Sequence, residues 1–257
     1  MFRGIEIAAS GMASVIDLND IIANNLANVN TPGFKQLIPT FKDIHEFTVK
    51  DTNSTEKNMI GTLSIGSMLD NTQLDFTQGA LRKTEGKLDV ALNGEGFFVV
   101  KTKANEECYT RNGGFSVNEN GDLVTRQGDS VVGEGGQKIN IDLSNSSTKD
   151  LVITEDGRIM VKNNEVGKLK VVNFEDVSKL KAKGNTLLEN IDENNKPMEM
   201  EKYKVSQGYL ETSNANVIES MINSISGSRT YETLSKVIYS TDSTLRKAVN
   251  DVGRVMQ

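Results

Sequence analysis

At 257 residues and a formal net charge of -6, the chain can hold one large domain or two modest ones, and no basic cluster offsets its acidity, which argues against nucleic acid as a main partner. Its longest strictly aliphatic or aromatic run, from Phe97 to Val100, falls far short of the roughly 20 residues of a membrane helix, so no membrane insertion is expected. One cysteine, Cys108, excludes an internal disulfide, and one histidine, His45, excludes a multi-histidine metal site.

The first thirty-five residues carry Ile5, Ala8, Met12, Val15, Asn19, Ile22, Leu26 and Val29 at alternating steps of three and four, which predicts an amphipathic helix from Ile5 to Val29. Pro32 biases Thr31 away from the helical region and Gly33 supplies a turn, so the helix should stop there. Arg3 is followed by Glu6 and Asp17, and no uninterrupted apolar core marks a cleaved secretory signal. Asparagine recurs at Asn19, Asn24, Asn25, Asn28 and Asn30, although each costs a helix several tenths of a kcal/mol relative to alanine. These amides belong either to a frayed helix end or to contacts with neighbouring subunits and a wet surface.

Residues 36–75 read as an extended connector with a strand or two, and residues 76–205 as an antiparallel β domain of short strands with Gly and Asn turns. Leu88 to Val100 alternates and then becomes an apolar run, with Gly94 and Gly96 as turn or bulge positions. Asn118 to Asp122 and Glu155 to Gly157 are hairpin turn signals, and Lys168 to Phe174 is a further strand. After a return linker, 206–213, a second helix carries Ile218, Met221, Ile222, Ile225, Leu234, Ile238, Leu245, Val249 and Val252 at helical spacing. Asn216 with Glu219 reads as its capping box, Ser226 to Ser228 around Gly227 as a soft point, and Gly253 as its stop. The fold class is therefore α+β: terminal helices (1–35 and 214–257) paired as a coiled-coil-like inner domain, with an all-β insertion. Neither helix has a sequence-adjacent partner, so each must bury its stripe against the other, against another molecule, or both.

Catalytic constellations are sparse. A serine triad would have to recruit His45, and no Gly-x-Ser-x-Gly elbow is present. Ser178 and Lys181 match Ser-x-x-Lys without companion motifs, which leaves a Ser/Lys hydrolase as a minor alternative. Asn118, Asn120 and Asp122 could ligate calcium, but the hairpin turn is the heavier reading; Gly133 to Gly136 lacks phosphate-loop spacing and reads as a turn. No cofactor, metal or enzymatic activity is expected.

Five segments together resemble the bacterial flagellar rod and hook axial proteins: AASGM (8–12), IANNLANVNTPGFK (22–35), LNGEGFF (92–98), YTRNG (109–113) and LETSNANV (210–217). The resemblance spans essentially the whole chain. It implies a non-enzymatic subunit that polymerises helically into the hollow drive shaft of the basal body, with a hook-type subunit of the same family as the alternative. The single modest β insertion favours a rod subunit, of the distal (G) type by residues 208–213 and of the proximal (F) type by residues 131–136. Implied partners are further copies of the chain, other rod proteins, hook subunits, the flagellar type III export apparatus and rod-surrounding rings. The implied location is the basal body outside the cytoplasmic membrane. On this reading the assembly interface comprises Ile5, Ala8, Met12, Val15, Asn19, Ile22, Asn25, Leu26, Asn28, Val29, Ile218, Met221, Ile222, Ile225, Leu234, Ile238, Leu245 and Val249, with Pro32 and Gly33 as the turn.

Overall fold

A computed structural model describes residues 2–44, 46–50, 59–64, 66–141, 151–162 and 164–255; His45 lies outside the described residues. Two compact units emerge: Met1–Leu26 with Leu37–Gln73 and Asn216–Gln257, and Ala27–Gln36 with Leu74–Ala215.

In the first unit, α1 (Phe2–Ala27) ends two residues before Val29. The Asn28 carbonyl accepts from Thr31 N at 3.0 Å, which closes a turn that takes Val29 out of the helix despite its apolar register. Asn25 fits neither sequence reading of the amides: its Nδ2 donates to Leu37 O and its Oδ1 accepts from Leu37 N, both at 2.9 Å. One buried amide thus satisfies both backbone groups of the residue that begins strand Leu37–Asp43. Ser14 Oγ donates to Ser67 O at 2.8 Å, so strand Ser67–Leu74, the hydrogen-bonded neighbour of Leu37–Asp43, is also tied to α1. Glu46–Lys50 and Met59–Ser64 form a separate antiparallel pair, so the described residues of the predicted connector hold four strands.

α2 (Val217–Val255) runs for 39 residues. Asn216 Oδ1 accepts from the amides of Ile218 at 3.0 Å and Glu219 at 3.4 Å, an N-cap that satisfies donors the first turn leaves unpaired. The helix passes through Gly253 and ends two residues later at Val255, so the glycine itself does not stop it: one helical glycine costs only about 1 kcal/mol. Nor does Gly227 break it. A Cβ there would stand 2.6 Å from Asn19 Oδ1, so this glycine allows α1 to come close. Gly11 plays the reciprocal part, with Leu234 Cδ1 3.2 Å from where its Cβ would be. Residues 11 and 19 of α1 thus meet 234 and 227 of α2, an antiparallel approach.

In the second unit, the central strand is Phe97–Lys101, in a sheet ordered Leu180–Gly184, Leu187–Asn190, Glu107–Thr110, Phe97–Lys101, Ser130–Val131, Leu123–Thr125, Phe115–Val117. Its apolar run has a simple cause. Phe98 and Val100 join one core cluster with Leu92, Leu123, Ile141 and Ile159, while Phe97 and Val99 join another with Tyr109, Val132, Val172 and Phe174. A strand covered on both faces needs no alternation. Gly94 and Gly96, at φ +103° and +110°, lie between Val90–Asn93 and Phe97–Lys101, where the sequence marks turn or bulge positions. Lys168 to Phe174 is likewise divided, between Asn164–Lys168 and Val171–Asn173.

Two hairpins form at the signalled turns. Asn118 Oδ1 accepts from the amides of Asn120 at 3.0 Å and Asp122 at 2.8 Å, with Gly121 at φ +83°, so the calcium reading gives way to turn chemistry. Gly157, at φ +78°, closes the turn between Leu151–Ile153 and Arg158–Val161, whose register pairs Ile153 with Ile159. Cys108 is fully buried in the first cluster, and that burial pushes its thiol pKa up.

Tyr203 offers a test of this packing. Its hydroxyl donates to Leu169 O at 2.6 Å, and burial, with Glu134 and Asp156 adding to it, raises its pKa to about 12. A pKa raised above the unfolded value of 10.0 means that its stabilisation is complete below pH 10 and lost as pH rises through about 12. Tyr203→Phe should therefore be less stable than wild type at pH 8 by about 1 kcal/mol, with the gap shrinking over that alkaline window. Urea unfolding of both proteins at several pH values checks this; a gap independent of pH would refute the assignment.

Candidate assembly interface and a buried ionic cluster

The apolar stripes named from sequence divide into two environments. On α1, Ala8, Ile22 and Asn25 are buried, and Ile5, Met12, Val15, Asn19 and Leu26 are half-buried; Asn28 and Val29 are half-buried in the turn beyond it. Along α2, Leu234, Ile238 and Leu245 are half-buried, whereas Ile218, Met221, Ile222, Ile225 and Val249 are between 51% and 70% exposed. The helix turns small residues inward over the same stretch: Ser220 and Gly227 are buried and Ser224 half-buried. The beginning of α2 therefore keeps its large apolar side chains outward. That inverts the usual arrangement of a surface helix.

The exit from α1 belongs to the second unit, and there the chain builds a feature that sequence periodicity does not reveal. Gly33 is buried at φ +69°, and its amide donates to Glu211 O at 2.8 Å. Pro32, half-buried, precedes it. Two residues on, Lys35 Nζ lies 2.7 Å from Glu211 Oε1 and donates to Thr77 O at 2.7 Å. Arg111 Nη1 stands 3.6 Å from Glu211 Oε2 and donates to Gly94 O at 2.7 Å, with its guanidinium 5.1 Å from the centroid of the Phe97 ring. Gly79 N donates to Glu211 Oε1 at 3.0 Å. The side chains of Lys35, Glu211 and Arg111 are 2%, 0% and 5% exposed. Burial pulls the Lys35 and Arg111 pKa values below their ordinary ranges, and the Glu211 carboxylate opposes the fall in each.

Around this cluster the backbone is stitched by Asn214, whose Oδ1 accepts from Gln36 N at 2.8 Å and whose Nδ2 donates to Asp75 O at 2.7 Å. The remaining candidates do not converge. Ser178 Oγ donates to Asp176 Oδ1 at 2.6 Å, beside the amide of the same serine, and so completes the cap of a short 3-10 turn. Lys181, exposed, lies on strand Leu180–Gly184 in register with Glu189. The hydrolase alternative has no support here.

Comparison with known proteins follows the same geography. Residues 5–35 match the family model "Flagella basal body rod protein", residues 91–161 "Flagellar hook protein FlgE/F/G D1 domain", and residues 206–251 "Flagellar basal body rod FlgEFG protein C-terminal". Each match contributes one member of the ionic cluster: Lys35, Arg111 and Glu211. Among relatives, the flagellar basal-body rod protein FlgG of Buchnera aphidicola subsp. Acyrthosiphon pisum is 36% identical over 96% of this chain and 98% of its own. FlgF of Caulobacter vibrioides is 32% identical over 92% of each chain, and FlgG of Borreliella burgdorferi 32% identical over 97% of this chain and 98% of its own. With relatives of that identity aligned from end to end, and with matches at both terminal helices and in the β unit, this chain belongs to the family of flagellar basal-body rod proteins.

Proposed function

We propose that this structural rod subunit polymerises helically, copy against copy, into the hollow shaft that carries torque from motor to hook. The observation that carries the reading is the outward stripe Ile218, Met221, Ile222 and Ile225 at the start of α2. Burying each such side chain is worth about 1.5–3 kcal/mol, a gain that a neighbouring copy would supply. Where the stripe meets a different surface of the next copy the contact is heterologous, and a heterologous contact that does not close on itself generates a helical polymer. The paired approach of α1 and α2 at Gly11 and Gly227 supports a coiled-coil-like inner domain from which the stripe projects.

Other rod proteins and hook subunits would meet the ends of such a polymer. Delivery by the flagellar type III apparatus, to a site outside the cytoplasmic membrane, fits a chain of this family. Chemistry is not part of the proposal. Deleting the gene and imaging purified basal bodies tests it: rods should be missing or truncated, and an epitope-tagged copy should restore them and label the shaft. Complete rods in the deletion strain would overturn the reading, and label confined to the hook would replace it with the hook-type alternative.

A further inference from the structure

The Lys35–Glu211–Arg111 cluster invites an explanation beyond stability. Taking charges out of water is expensive, and well-packed apolar side chains of similar volume often hold a fold as well or better. This cluster is also incompletely satisfied. Arg111 Nε and Glu211 Oε2 have no hydrogen-bond partner among the described residues. What charges supply, and apolar side chains do not, is an all-or-none requirement: with Glu211 in place both cations have a counter-ion, and without it two cations are buried side by side.

Glu211 ends strand Tyr209–Glu211, the last of the unit in chain order, which pairs with Leu81–Lys83. Its carboxylate collects Lys35, Arg111 and Gly79 N, and its carbonyl accepts from Gly33 N. By contrast, the sheet around Phe97–Lys101 and Glu107–Thr110 has two apolar clusters that contain none of these groups.

We propose that the cluster is a closing lock: the sheet forms on its own apolar core, and the base of the unit, where residues 33–36 lie against 211–214, closes only when the last strand delivers Glu211. The exit from α1 and the approach to α2 then remain unset in any chain whose return strand has not arrived, whether during synthesis or during passage through a channel. The lock is independent of the polymer and can be tested on the monomer.

The experiment is pulsed hydrogen exchange during refolding of the full-length chain from urea, followed by native-state exchange. Amides of Val99, Tyr109 and Val132 should become protected first, and those of Gly33, Gln36, Gly79 and Thr212 together in a later step. In Glu211→Gln the base amides should open about a hundredfold to several thousandfold more readily, the order of effect of removing one partner from a buried ion pair, with the core amides unchanged. Adding Lys35→Met to Glu211→Gln should recover part of that loss, because it removes a stranded cation. The proposal falls if base and core amides become protected in one step, or if Glu211→Gln leaves base exchange at the wild-type rate. It falls equally if Glu211→Gln abolishes core protection, or if the double variant is no better than the single one.

Discussion

Gly33→Val is expected to abolish rod assembly by breaking the base of the β unit. Two costs combine. A β-branched residue at φ +69° carries roughly 1–3 kcal/mol of backbone strain. Its Cβ would also stand 2.6 Å from Arg111 C and from Asn112 Cα, and these are backbone atoms that cannot swing aside. Relief requires moving either the 111–114 loop or the turn itself, and the turn carries the 2.8 Å hydrogen bond from Gly33 N to Glu211 O and, two residues on, the Lys35 ion pair. The monomer should lose several kcal/mol in urea unfolding, cells should not swim, and the unassembled subunit should still be exported. A Gly33→Val strain that swims normally would show that the turn can be remade without its glycine.

Ile222→Asp should have an equally large effect on assembly with almost none on the subunit. Ile222 is 60% exposed, so its replacement should change monomer stability by no more than about 0.5 kcal/mol. In a dry contact between copies, the same aspartate would be an unpaired charge costing several kcal/mol for every subunit added. Ile22→Asp is the control: at 7% exposure it should unfold the first unit whether or not a neighbour is present. Urea unfolding of the monomers and counts of rods in purified basal bodies separate the two. Normal rods built from Ile222→Asp would mean that the stripe faces solvent in the assembled shaft.

Periodicity made both helices legible, because an apolar residue every three or four positions survives any detail of packing. It could not say which face each stripe would meet. Ile218 and Ile222 lie on the same spacing as Leu234 and Ile238, yet the first pair is outward and the second half-buried; what separates them is the presence of Ser220, Ser224 and Gly227 on the inner side, a matter of volume rather than hydropathy. Turn residues were readable where the chemistry is local, as at Asn118 and Gly157, because the side chain or positive φ acts within a few positions. Helix ends were less so: Val29 has the right hydrophobicity but the wrong neighbours, and α2 runs two residues past Gly253. The ionic cluster was invisible to any windowed reading, since Lys35 and Glu211 are 176 positions apart. Residue type gave no hint either: Lys35, Arg111 and Glu211 sit among turn formers in TPGFK, YTRNG and LETSN, the usual setting of a solvated charge.

The burial of Cys108 has a practical corollary for mapping the shaft. A thiol reacts as its thiolate, and a group that is fully enclosed and held above its usual pKa presents almost none of that form to a reagent in water. The wild-type chain should thus be close to silent toward maleimides while folded. A cysteine placed at Ile218, Ile225 or Val249 would then be the sole responsive position. Its labelling rate, measured first in the free subunit and then in intact basal bodies, would read out which parts of α2 become occluded when a neighbouring copy arrives, without any need to remove the native residue.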